Sequence, residues 1–92
     1  MKLTYDPNKD ATNIIKHGLS LADALLVFEA PDKLTLKSTK GDEARLMDVA
    51  MVAVAGVLLV LVYVMREPDE VRAISLRRAS KQERTLYAKN YH

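Results

Sequence analysis

Lys16 and His17 stand directly before Gly18, seven residues after Lys9, and this is where the one internal histidine of the chain lies. An imidazole titrates near neutrality and can carry a proton during a reaction, while lysine ammonium groups can hold an anion. The same three residues would also suit the end of a helix, where cations complement the carbonyl dipole and glycine adopts a left-handed turn. A structural role for His17 therefore stands beside the chemical one. Arginines form the second group, at positions 45, 66, 77, 78 and 84. A guanidinium donates two parallel hydrogen bonds and suits phosphate, but each arginine could equally solvate a strand end.

Charge is unevenly spread along the 92 residues. From 71 onward six basic side chains (Arg72, Arg77, Arg78, Lys81, Arg84, Lys89) face Glu83 alone, whereas the first seventy residues carry eight basic and eleven acidic side chains. Such a cationic segment reads as a phosphate-binding surface, an acidic-partner surface or a plain solvated helix face. No cysteine is present, which excludes a disulfide framework and a thiolate nucleophile, and His17 and His92 are too far apart in sequence for metal-ligand spacing. No metal or other cofactor is expected. The first seven residues reach a turn before any apolar run, so no secretory or transit peptide is expected and the cytoplasm is the simplest compartment. The length predicts one domain over residues 1–92, small enough for a partner to contribute to its stability.

The elements that must position these groups follow from local signals. "KLTY" alternates like a short strand, and Asp6-Pro7 then starts a helix with an acidic N-cap and proline in its first turn. Ala11, Ile14 and Ile15 are its expected buried stripe, and Gly18 ends it. Ser20 and Asp23 repeat the start signal as a capping box, with Ala24, Leu25, Val27 and Phe28 as the apolar face of a second helix before Pro31. "KLTLKS" alternates as a strand, and Lys40-Gly41-Asp42 is turn chemistry.

The longest apolar run, "VAMVAVAGVLLVLVYVM" at 49–65, has the minimum length for a membrane-spanning helix. Seven of its seventeen residues are valine and Gly56 divides it into two strand-length arms, so a hairpin about Ala55-Gly56 is expected, with Asp48 and Arg66 at the outer strand ends. "EVRAISL" would place Val71, Ala73, Ser75 and Arg77 on one face. Ser80 to Glu83 is a full capping box opening a third helix, with Leu86 and Tyr87 facing inward. The fold class is α+β, a small, mostly antiparallel sheet with an N-terminal helical hairpin and a C-terminal helix.

Several stretches occur together in a set order: "DPNK" at 6–9, Asn13, "KHG" at 16–18, "VF" at 27–28 before Pro31, Glu43 with Arg45, the valine-rich run ending in Arg66, and "ISLRRASKQERTLY" at 74–87. In that order they resemble the BrnT toxins of type II toxin–antitoxin systems, in the RelE-like ribonuclease group, over nearly the whole chain. The sequence departs from the family at Asp48-Val49-Ala50, where an isoleucine–glycine pair is common, and its segment 45–66 is more uniformly apolar.

The resemblance implies a RelE-like fold and a metal-independent ribonuclease that inhibits translation and growth. It also implies neutralisation by a BrnA-type antitoxin, in a heterotetramer with two of each chain, and contact with operator DNA only through that antitoxin. Metal-free cleavage needs a base for the 2′-hydroxyl, an acid for the leaving oxygen and cations for the phosphorane. Arg66 and Arg77 are the leading candidates to stabilise the phosphate, with His17, Tyr87 and Glu43 as candidates for proton transfer or base contact. Arg78, Arg45, Lys9, Lys16 and Arg84 are candidates for RNA binding. A non-catalytic module that binds RNA or an antitoxin is the competing reading, and a small membrane protein is the third.

Overall fold

The computed structural model describes residues 1–40, 43–52 and 56–90, with only the backbone described at 38–40, 43–45, 47 and 52. Its order is β1 (Lys2–Thr4), α1 (Pro7–His17), a 3-10 turn (Leu21–Asp23), α2 (Ala24–Phe28), β2 (Leu34–Lys40), β3 (Glu43–Val52), β4 (Val57–Glu67), β5 (Glu70–Arg78) and α3 (Lys81–Asn90). The five strands form one sheet in the order β1-β5-β4-β3-β2, in which only the β1–β5 pair is parallel. The α+β class and the mostly antiparallel sheet expected from the sequence are what the chain adopts.

The apolar run is a pair of strands. Its second arm, β4, is buried on both faces, so its sequence shows no alternation. Leu59, Leu61 and Tyr63 pack under α2 and the 3-10 turn with Leu21, Ala24 and Val27, while Leu58 and Val60 pack on the other face with Val49 and Ala79. Gly56 takes φ 64°, a left-handed turn conformation. The other turn residue expected there, Ala55, lies outside the described residues.

Asp6 caps α1 as expected, its carboxylate accepting from the Asn8 N–H at 2.8 Å, and Gly18 ends the helix at φ 69° with its N–H on the Ile14 carbonyl. The expected buried stripe is wrong. Ala11 is exposed, Ile14 is 46% and Ile15 85% exposed, and the one side chain that α1 buries is Asn13. The reason is the edge of β5. The pairing with β1 stops at Thr4–Arg72, and beyond it the backbone of β5 needs another partner. Asn13 supplies it: its amide nitrogen donates to the Leu76 carbonyl at 2.8 Å, and its amide oxygen accepts from the Leu76 N–H at 3.1 Å. A second donation, to Leu19, ties in the loop after the helix.

The second start signal is also modified. Ser20 accepts from Ala22 rather than Asp23, which makes a 3-10 turn before the short α2, while the Asp10 carboxylate accepts from Ser20 and from the Leu21 N–H.

Three further expectations are corrected. Asp48 is not at a strand end, because β3 runs back to Glu43; it sits opposite Leu61 with 0% exposure. Lys33 Nζ at 2.9 Å and Thr35 Oγ1 at 2.7 Å satisfy its carboxylate, and the ammonium also lies 3.9 Å from the centre of the Phe28 ring. Burial, and then the Asp48 charge, push the Tyr63 phenol up to about 12.

The face expected to carry Val71, Ala73, Ser75 and Arg77 is split. Tyr63 pairs with Ala73 but Val62 with Ser75, so Ile74 is an extra residue, a bulge that flips the phase of the rest of β5. Leu76 then joins Val71 and Ala73 in the core, and Arg77 comes opposite Val60 on the α3 side. On α3, Leu86 faces out, 38% exposed, and it is Tyr87 that packs on the sheet. Glu83, one turn before Tyr87, fixes the inner face by its contact with Arg77, and Leu86 is about 100° round the axis from Tyr87.

Candidate functional site

Residues Lys9, Lys16 and His17 lie on one side of α1, spaced by seven and eight residues, about two turns. That side meets the bulge of β5. Together they line a cleft of about 300 Å³ whose other walls include Thr12, Asn13, Ile74 and Ser75. Among the described residues no carboxylate lines it, so two ammonium groups and an imidazole meet there without a described counter-charge. The bulge matters here, because it places Ile74 and Ser75 against the helix at the strand edge that β1 leaves open. The cap at Gly18 makes His17 the last residue of α1, and there it lines the cleft. The two roles for His17 are compatible.

A second group forms at the opposite side of the chain's C-terminal segment. Arg78, Arg84 and Tyr87 line a groove of about 440 Å³ whose floor includes Met51, Leu58 and Ala88. Arg84 donates to the Ala79 carbonyl at 3.1 Å, and the Tyr87 hydroxyl lies 3.0 Å from both the carbonyl and the carboxylate of Asp32.

The leading arginines of the sequence reading are not brought together. Arg77 lies opposite Val60, and Arg66 is six residues further along β4. At about 3.3 Å per residue that separates them by roughly 20 Å. Arg66 and Arg72 share a surface depression with Glu67 and Glu70, an evenly balanced set of charges. Arg77 holds both oxygens of Glu83, at 2.7 and 2.8 Å. The hydrogen bonds from Arg77, with the Ser80 N–H, lower the Glu83 carboxyl to about 2, and the carboxylate in turn raises the Arg77 guanidinium. Glu83 also closes the capping box, accepting from the Ser80 N–H at 2.8 Å while its own N–H donates to Ser80 Oγ at 3.2 Å. Arg77 thus fixes the start of α3. The side chains of Glu43 and Arg45 lie outside the described residues.

Sequence reasoning missed Thr12 and Ser75 as walls of the cleft, and Asn13 as its fastening. Thr12 could have been found by marking every α1 residue within a turn of Lys9 and Lys16. Ser75 could not, since its place depends on the bulge. The whole polar set at Asp48 was also missed, because a lone aspartate before an apolar run reads as a boundary.

Among the described residues, no helix is long and apolar enough to cross a membrane. No curated protein sequence gives a significant match to this chain. A crystal structure of the ribonuclease toxin BrnT from Brucella abortus superposes with a TM-score of 0.69 at 29% identity, covering 88% of this chain and 99% of that one. A family model described as "Ribonuclease toxin, BrnT, of type II toxin-antitoxin system" matches residues 5–83, which takes in α1, strands β2 to β5 and the capping box of α3, and leaves out β1. With a match of that extent, the chain belongs to the BrnT family of ribonuclease toxins of type II toxin–antitoxin systems.

Proposed function

We propose that this chain is a metal-independent endoribonuclease that works in the cleft between α1 and β5. The observation that supports this is the convergence of Lys9, Lys16 and His17 on one cleft with no carboxylate among its described lining residues. In the reaction the 2′-oxygen of the RNA bonds to the adjacent phosphorus as the bond to the 5′-oxygen breaks. His17 takes the proton of the 2′-hydroxyl, and the leaving 5′-oxygen takes one from water. Lys9 and Lys16 hold the non-bridging oxygens, whose charge grows in the phosphorane. Thr12 and Ser75 offer hydroxyls to the ribose or phosphate from the two walls.

Cleavage of RNA in the cytoplasm would inhibit translation and growth. The antitoxin of the system, of the BrnA type, would neutralise the chain in a complex of two copies of each and carry it to operator DNA. The non-catalytic binding module remains the second reading. It is favoured by the engagement of Arg77, one of the two arginines expected to hold phosphate, with Glu83.

The test uses purified chain and labelled RNA in excess EDTA. Wild type should yield 2′,3′-cyclic phosphate ends, and His17→Gln should lose about 10²-fold or more in rate. Lys9→Ala and Lys16→Ala should weaken RNA binding and flatten its salt dependence. Equal cleavage by His17→Gln would remove His17 from the chemistry, and an absence of cleavage by wild type would leave the binding module.

A further inference from the structure

The groove beside α3 differs in kind from the cleft on α1, and the two share no lining residue. Its floor is aliphatic and thioether, from Met51, Leu58 and Ala88, and Met51 is 46% exposed. Its rim is positive, from Arg78 and Arg84. Glu83 is the one acidic residue after position 70, and Arg77 already holds both its oxygens, so the segment presents Arg78, Lys81, Arg84 and Lys89 with little to offset them. Leu86 continues the pattern on the outer side of α3, in a shallow depression lined also by Lys81 and Lys89.

We propose that this groove docks an acidic, amphipathic peptide segment of the antitoxin, apolar side chains on the floor and carboxylates on Arg78 and Arg84. The proposal rests on the toxin reading above and assigns the antitoxin a surface apart from the cleft. Charge complementarity selects the occupant. A second copy of this chain would bring the same cations face to face. RNA would satisfy the arginines but not the floor, whose described residues Met51, Leu58 and Ala88 offer no flat ring for a base to stack on. Tyr87, the aromatic residue in the lining, packs against the cluster of Val49, Leu58 and Val60 and holds Asp32 through its hydroxyl. A peptide uses both parts of the surface, since apolar contact supplies affinity at the centre and the charged rim supplies orientation.

The experiment titrates the toxin with the antitoxin encoded beside it, by calorimetry, and follows the Met51 methyl signal by NMR. Arg84→Glu and Ala88→Glu should each weaken binding by about tenfold or more, and Met51→Gln by about threefold. The Met51 methyl should shift on adding antitoxin. RNA cleavage by Met51→Gln and Ala88→Glu alone should equal wild type, which also shows that these variants fold. Affinity within twofold of wild type for both of those variants would overturn the proposal, as would a Met51 methyl that responds to a short RNA and not to antitoxin. A chain that cleaves no RNA yet binds antitoxin through Met51 and Ala88 would support the docking surface while removing the catalytic reading.

Discussion

Asn13 offers the sharpest test of how α1 is held. Replacing it by alanine removes three hydrogen bonds, two to Leu76 and one to Leu19, and strands the Leu76 N–H and carbonyl at a buried position. Each of the two stranded Leu76 groups costs about 1–3 kcal/mol and the lost bond to Leu19 about 1 kcal/mol, so the loss should come to about 3–7 kcal/mol. For a domain of this size the total stability is on the order of 5–14 kcal/mol, so the substitution takes a large share. Ile15→Ser is the matched control. Isoleucine is the larger and more apolar side chain, but at 85% exposure it has little burial to lose, and its replacement should change stability by less than about 0.5 kcal/mol. Urea unfolding followed by circular dichroism measures both. RNA cleavage by Asn13→Ala should fall as well, because α1 carries one wall of the cleft. A loss below about 1 kcal/mol for Asn13→Ala, or a loss for Ile15→Ser that matches it, would show that α1 is held by its apolar residues and not by the amide.

Lys33→Met removes the ammonium from a carboxylate with 0% exposure and should cost about 3 kcal/mol, read as a lower urea midpoint; an unchanged midpoint would mean that Thr35 and Tyr63 suffice for Asp48. Glu83 gives a pH dependence. Its folded value of about 2 lies below the ordinary 4.5, so the stability it contributes is present above about 4.5 and is lost as pH falls toward 2. Because Arg77 is partly open to water, that loss should be about 1 kcal/mol, and Glu83→Gln should abolish it; acid titrations of the two proteins that run parallel between pH 5 and 2 would refute the assignment.

Local signals carried far in this chain because each acts over a few residues. Asp6-Pro7, Gly18 and the Ser80–Glu83 box mark helix ends through contacts within one turn, and these are found where the sequence puts them. Valine content and Gly56 separated a strand pair from a membrane helix for the same reason. The errors fall where a distant part of the chain decides. Ile14 and Ile15 look like a core stripe, but the open edge of β5 recruits Asn13 instead. Asp48 looks like a boundary until Lys33 and Thr35 are folded onto it.

The sequence by itself determined the elements, the α+β class and the grouping of Lys9, Lys16 and His17 on one helix, since all three depend on spacing along the backbone. The tertiary structure decided which cations can act together. One extra residue, Ile74, reverses the faces of β5 beyond it and sends Arg77 to Glu83, and the antiparallel register of β4 and β5 places Arg66 a strand length away. Neither leaves a mark in the spacing of the arginines, because register is settled by which side chains fill the core and not by the charged residues that ride on it.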